Sequence, residues 1–123
     1  MSAMLPKTLE IETDGRRTVY VLRPDLTATS RSSAWYEPQD GGEAVQATGS
    51  VWVRFRNGED AAARATDFAR AGYRIESIPG YALHAAFVRA KDVGTSLANL
   101  DGLRAIDGVQ HVEPQLLRKR GSR

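Results

Sequence analysis

Few residues in this chain have the types that catalysis requires. Thr95 and Ser96 carry hydroxyls that could act as nucleophiles, and the chain has two histidines, His84 and His111. A nucleophilic serine needs a histidine within hydrogen-bond reach that is itself oriented by a carboxylate. Neither histidine stands in a motif that would supply this arrangement. We therefore expect Thr95 and Ser96 to lie in the first turn of a helix, and we predict that the protein is not an enzyme.

Cofactor and metal chemistry are also poorly supported. The chain has no cysteine, which excludes disulfides, thiolate zinc sites and thiol nucleophiles. The two histidines, 27 positions apart, do not form a metal-ligand spacing. The glycines do not follow the pattern of phosphate-binding or dinucleotide-binding loops. We expect no cofactor and no bound metal.

Length and composition indicate one small soluble domain. The chain has 123 residues, of which 41% are hydrophobic and 26% charged, as in ordinary globular proteins. No apolar run is long enough for a signal peptide or a membrane span, so we expect a cytoplasmic protein. Residues 1–117 hold 13 basic and 15 acidic groups, whereas residues 118–123 hold four basic groups. A basic tail without a basic face argues against a nucleic-acid binder.

The first 49 residues are predicted to form a hairpin and a linker. Two strand-like apolar runs, residues 9–11 and 19–22, flank Asp14-Gly15, a pair that favours the tight turn of a β-hairpin. Residues 27–49 contain many Ser, Thr and Gly residues and are predicted to be a loop. Within it, Trp35-Tyr36 is expected to attach the hairpin to the rest of the protein.

Residues 50–115 are predicted to form an α+β domain of the ferredoxin-like type, with the order βαββαβ. Period-two alternation indicates the strands, and apolar residues at helical spacing indicate the helices. The predicted elements are a strand at Val51–Phe55, a helix ending at Gly72, strands at Tyr73–Ile78 and Ala82–Ala90, a helix from Val93 to Ile106, and a strand at Val109–Glu113. We expect an antiparallel four-stranded sheet with two helices on one face. The fourth strand should stop at Pro114, and residues 116–123 should form a basic extended tail.

Three segments of this region resemble the propeptides of subtilisin-like serine proteases. They are Tyr81-Ala-Leu-His-Ala-Ala-Phe-Val88, Leu97-Ala-Asn-Leu-Asp-Gly-Leu-Arg-Ala-Ile106 and Gly108-Val-Gln-His-Val-Glu-Pro114. The third is the most telling, because it follows the second predicted helix, where the family places it. The resemblance covers residues 50 to 120 and leaves residues 1–49 unexplained.

The resemblance implies a domain that inhibits a protease and assists its folding. In the family, the sheet packs against two helices of the enzyme, and the extended C-terminal tail lies in the substrate cleft as a product-like strand. Glu113 matches the acidic residue that caps helix N-termini of the protease, whereas the second acidic position of the family is Gln115 here. The implied protease-binding residues are Glu113, Leu116, Leu117, Arg118, Lys119 and Arg120.

The sequence therefore predicts a non-catalytic, propeptide-like partner of a subtilisin-like protease. It would act in trans, or in cis if the chain is a fragment of a longer protein. The alternative is a ferredoxin-like interaction or adaptor module that binds partners through its sheet or an exposed strand edge, including the hairpin of residues 8–22. In an RNA-recognition module, bases would stack on aromatic residues such as Trp52, Phe55 and Phe87, but the basic, glycine-rich context of those modules is missing here.

Overall fold

The computed structural model describes residues 5–13, 15–27 and 34–118 and shows a mixed α+β fold. The strands are β1 (Thr8–Thr13), β2 (Arg16–Leu22), β3 (Ala34–Pro38), β4 (Val45–Phe55), β5 (Arg74–Ser77), β6 (Ala85–Arg89) and β7 (Val109–Arg118). The helices are α1 (Pro24–Thr27), a 3-10 helix (Ala61–Arg64) that continues into α2 (Ala65–Arg70), α3 (Val93–Ala98) and α4 (Leu100–Arg104). The α+β class and the antiparallel pairing agree with the prediction.

All seven strands belong to one antiparallel sheet that is built on β4. One edge of β4 pairs with β7, and the opposite edge pairs with β3 near its beginning and with β6 further along. From β3 the sheet continues to β2 and β1, and from β6 it continues to β5. The sheet curls, so that β1 also contacts β7.

The predicted four-stranded sheet does not exist as a separate unit. The four strands that follow residue 44 lie in the order β7-β4-β6-β5, but β4 also pairs with β3, which extends the sheet to seven strands. The second predicted helix is divided, because the backbone leaves the helical region at Asn99 (φ −120°, ψ 35°) between α3 and α4.

The N-terminal hairpin is confirmed, whereas the predicted loop is wrong in part. Thr13 pairs with Arg16, and Gly15 has a φ of 78°, which suits the tight turn. Asp14 and residues 28–33 lie outside the described residues. The rest of the predicted loop contains β3 and the first half of β4, which pair with each other from Ala34 to Tyr36.

The fourth predicted strand also differs from the prediction, because it continues through Pro114 to Arg118. Proline lacks a backbone N–H and is tolerated in strands mainly at a sheet edge. Within the described chain β7 pairs with β4 alone, so the missing donor of Pro114 can face away from its partner strand. The start of the predicted basic tail, residues 116–118, is therefore part of the sheet.

A single core joins the N-terminal strands to the later elements. Tyr36 and Val45 belong to the same buried cluster as Phe68 and Leu103. Tyr36 is completely buried, and its hydroxyl donates a hydrogen bond of 2.8 Å to the Pro6 carbonyl. Tyr36 therefore links the segment before the hairpin, through its hydroxyl, to the shared core, in which its ring is buried. The domain boundaries at residues 49 and 115 stay predictions; β4 crosses the first and β7 the second.

No helix in the described parts of the chain is long and apolar enough to cross a membrane. The cytoplasmic location stays a prediction.

A candidate protein-binding face on the sheet

The alternation of β4 gives the sheet two different faces. Val51, Val53 and Phe55 are completely buried and form part of the core, whereas the residues between them point to the opposite side. We call that opposite side the outer face. Its residues are Gln46, Ser50, Trp52 and Arg54 of β4, Phe87 and Arg89 of β6, and His111, Glu113, Gln115 and Leu117 of β7.

An aromatic pair occupies the centre of the outer face. Trp52 and Phe87 lie directly opposite each other on β4 and β6, and their ring centroids are 4.9 Å apart with the ring planes tilted by 56°. Both side chains are only half-buried. Large aromatic groups that remain partly exposed in the middle of a sheet are typical of the anchor residues of protein interfaces.

A polar network borders the aromatic pair on the side of β5. Glu76 accepts a hydrogen bond of 2.8 Å from the Ser50 hydroxyl and one of 2.9 Å from Arg89. These contacts, first the one from Ser50 and then the one from Arg89, hold the pKa of Glu76 below its usual value. A second Arg89 nitrogen donates to the Thr48 carbonyl at 2.6 Å. Arg89 is therefore fixed in position and borders the apolar centre.

Glu113 borders the aromatic pair on the side of β7. It lies opposite Trp52, and one carboxylate oxygen is 2.9 Å from Nε2 of His111. The Glu113 and His111 side chains are 31% and 28% exposed, so both are accessible to a partner. A carboxylate in this position can accept hydrogen bonds from backbone N–H groups, such as those at the N-terminus of a partner's helix.

The structure separates the other predicted site residues. Leu117 lies on the outer face in line with Glu113 and is 54% exposed. Leu116 lies on the other side of β7, where it is partly buried against the core. Arg118 is the last residue of β7, and Lys119 and Arg120 lie outside the described residues.

The end of β7 has one paired edge and one open edge. Residues 116–118 pair with Ala47, Gln46 and Val45 of β4. On the opposite edge of this segment, no other strand of the described chain is paired. An open edge can accept an extended segment from another protein through main-chain hydrogen bonds.

Catalytic and metal chemistry gain no support from the structure. Ser96 is completely buried in α3, where its hydroxyl accepts a hydrogen bond of 2.9 Å from the Ala90 N–H. Thr95 and Ser96 lie in the first turn of α3, and the Asp92 carboxylate caps that turn by accepting from the Thr95 N–H at 2.7 Å. Among the described residues, no group of three His, Asp or Glu side chains is placed to hold a metal ion.

A groove of about 700 Å³ lies between β1, the α3–α4 region and the beginning of β7, where His111 belongs to its lining. Two ion pairs stand on its rim, one between Arg17 and Glu10 at 3.7 Å and one between Arg104 and Asp101 at 2.7 Å. These charges are matched within the chain and do not single out a ligand.

Comparison with known proteins gives one informative match. No protein-family model matches the chain, and no curated protein sequence does. Among solved structures, the chain matches one chain from the crystal structure of the Aeromonas sobria serine protease in complex with its chaperone, with a TM-score of 0.57 and 20% sequence identity. The match covers 94% of this chain and 99% of that chain. The two chains therefore share a fold over nearly their whole lengths.

Proposed function

We propose that this protein is a non-catalytic chaperone and inhibitor of a subtilisin-like serine protease. The observation that carries the proposal is the structural match over 94% of this chain and 99% of a chain from a protease–chaperone complex. These two coverages mean that the matched chain is about as long as this one, and we take it to be the chaperone of that complex because so short a chain cannot hold a subtilisin-like protease fold. The resemblance of residues 50–120 to protease propeptides supports the same class of partner.

The outer face is the surface that we assign to the protease. Trp52 and Phe87 provide the apolar centre, and the Arg89–Glu76 and His111–Glu113 pairs provide a polar rim. This is the arrangement of a typical protein interface, in which a few large apolar residues carry most of the binding energy and polar residues surround them. Glu113 would cap the N-terminus of a helix on the protease, where a negative charge is favoured.

The tail would occupy the substrate cleft as an extension of β7. Leu116, Leu117 and Arg118 would present their open edge to the protease while their other edge stays paired with β4. Lys119 and Arg120 would continue in the same direction. Because the strand is already formed in the free chain, binding costs less conformational entropy than the ordering of a free peptide would.

The arrangement of the later strands supports a ferredoxin-like unit within the larger sheet. The order β7-β4-β6-β5, with helices in the β4–β5 and β6–β7 connections, is the order of a split βαβ motif. The first three strands would then be an addition to this unit, and the chaperone fold of the matched chain would include that addition.

The test is inhibition of purified Aeromonas sobria serine protease and of a subtilisin by this protein. We expect inhibition of peptide hydrolysis and improved recovery of activity when the denatured protease refolds in its presence. Glu113→Gln should weaken binding about 2- to 30-fold, the range for a charge at a helix end. Asp67→Asn, in α2 on the helix-covered side of the sheet, is the matched control and should leave binding unchanged.

The absence of any inhibition or complex with these proteases, and with any protease encoded beside the gene, would contradict the proposal. If the folded protein then captured a partner of another class through a strand edge, the adaptor alternative would replace it.

A further inference from the structure

Two large apolar side chains are displayed to solvent in the loop between β5 and β6. Tyr81 is 86% exposed and Leu83 is 62% exposed, whereas Ala82 between them is almost fully buried. The loop, residues 78–84, contains no Asp, Glu, Lys or Arg. Exposing two such side chains to water is unfavourable and adds nothing to the stability of the free chain, and a pair of large apolar groups displayed together is a candidate contact site for another molecule.

The main chain of this loop is held in place by hydrogen bonds to other elements. The Leu83 carbonyl accepts from the Ala61 N–H at 2.9 Å, and the His84 carbonyl accepts from the Phe55 N–H at 2.8 Å. Inside the loop, the Ala82 N–H donates to the Pro79 carbonyl at 3.1 Å. The two apolar side chains are thus presented on an ordered backbone, which lowers the entropy that binding would cost.

The loop lies at one end of the sheet, and the exposed Leu117 lies at the other. Leu117 pairs with Gln46 near the beginning of β4, whereas the loop is bonded to Phe55 at its end. At about 3.3 Å per residue, these ends are roughly 30 Å apart along the strand. The loop leads directly into β6, whose Phe87 contacts Trp52 in the centre of the outer face.

We propose that Tyr81 and Leu83 form a second anchor, which packs against an apolar, uncharged surface of the same serine protease outside its substrate cleft. This inference rests on the proposed function and names a contact that the resemblance and the structural match do not supply. Because the loop is bonded to the end of β4 and leads into β6, and both strands contribute to the outer face, one partner can cover the outer face and the loop together. The lack of charge in the loop selects an apolar patch over a charged one.

The experiment measures the dissociation constant of the full chain for Aeromonas sobria serine protease and for a subtilisin. The double variant Tyr81→Ser, Leu83→Ser should bind at least tenfold more weakly, with the change mainly in the dissociation rate. The matched control is the double variant Ala65→Ser, Ala69→Ser on the exposed side of α2, which should bind as the wild type does. If the double variant lost its fold, Tyr81→Ser alone, at the more exposed position, would give the same comparison.

The outcomes separate the anchor from the proposed function. If the wild type binds the protease and the double variant has a dissociation constant within twofold of the wild-type value, the second anchor is overturned and the proposed function is left intact. Failure of the wild type to bind any of the proteases would overturn both. Support requires weaker binding by the variant, together with an unfolding temperature equal to that of the wild type.

Discussion

Cutting the chain after Gln115 and cutting it after Arg118 should have different effects. The first cut removes the end of β7, and the second removes only residues that lie beyond the strand. If the tail were a free extension from residue 116 onward, both cuts would leave the stability of the domain unchanged.

The cost of the first cut follows from the contacts of residues 116–118. Three cross-strand pairs with Val45, Gln46 and Ala47 are lost, which corresponds to two or so backbone hydrogen bonds at about 1 kcal/mol each. Removing Leu116 also uncovers apolar surface of the core, at a cost of about 1 kcal/mol. The free energy of unfolding should therefore fall by about 3 kcal/mol, a large share of the 5–15 kcal/mol typical of small domains.

Urea unfolding of the three chains measures this cost. With a slope of about 1–3 kcal/mol per molar urea, the chain cut after Gln115 should unfold at a midpoint roughly 1–3 M lower than the full chain. The chain cut after Arg118 should unfold at the same midpoint as the full chain. Protease inhibition should be measured for the same three chains. We expect the cut after Arg118 to weaken inhibition and the cut after Gln115 to abolish it.

Equal midpoints for the full chain and the chain cut after Gln115 would refute the reasoning. That result would mean that residues 116–118 contribute no stability through β4. Full inhibition by the chain cut after Arg118 would show in addition that Lys119 and Arg120 take no part in binding.

Three further predictions concern single residues. Tyr36→Phe should lower the free energy of unfolding by about 1 kcal/mol, because it removes the hydrogen bond to the Pro6 carbonyl. Gly49→Ala should lower it by about 2 kcal/mol, because Gly49 has a φ of 95° and an added Cβ would lie 3.0 Å from an Arg89 side-chain nitrogen. Burial raises the pKa of Tyr73 to about 12, above the value of about 10 in an unfolded chain. Between these values the unfolded state releases the proton first, so stability should fall with rising pH by up to about 1.4 kcal/mol per unit for this group, and Tyr73→Phe should make that fall less steep.

Chemical unfolding tests all three, with a control for each. Tyr20→Phe changes a half-buried tyrosine of β2 and should be neutral; a loss as large as that of Tyr36→Phe would contradict the role of the hydrogen bond. Gly80→Ala places a Cβ in open space without a positive φ and should also be neutral, and equal midpoints for the two glycine variants would contradict the strain at Gly49. For Tyr73, an unchanged slope of stability against pH above pH 10 in the phenylalanine variant would contradict the assignment.

The hairpin and the order of the later elements could be predicted because their signals are local. Asp-Gly between two alternating runs indicates a hairpin without reference to the rest of the chain. The start of β4 has no such signal, because Ala47 and Gly49 occupy buried positions where a strand normally shows larger apolar residues. Small residues fit there since Gly49 lies close to Arg89 and Val93, a contact that only the folded chain reveals.

The candidate site could be predicted only in part. Glu113 is predicted from the resemblance, and the structure places it on the outer face; its role in binding stays a prediction. The Trp52–Phe87 pair depends on the register between β4 and β6, which residues distant in the sequence decide together. The exposure of Tyr81 and Leu83 could not be predicted, because apolar residues beside a predicted strand have the same pattern as a buried core. From the sequence, Pro114 predicts the end of a strand, whereas β7 continues through it. A proline is permitted there because β7 lies at a sheet edge, and that position is a property of the whole sheet.

The pairing of β4 with β7 also bears on when the protein can fold during its synthesis. Val45 pairs with Arg118 and Phe55 with Val109. One edge of β4 therefore stays unpaired until β7 has been synthesised and has left the ribosome. Contacts between residues so far apart in the sequence make folding slow, and the open edge of β4 is meanwhile available for wrong pairing. The described sheet can therefore be completed only after β7 has been synthesised, however early its central strand is made.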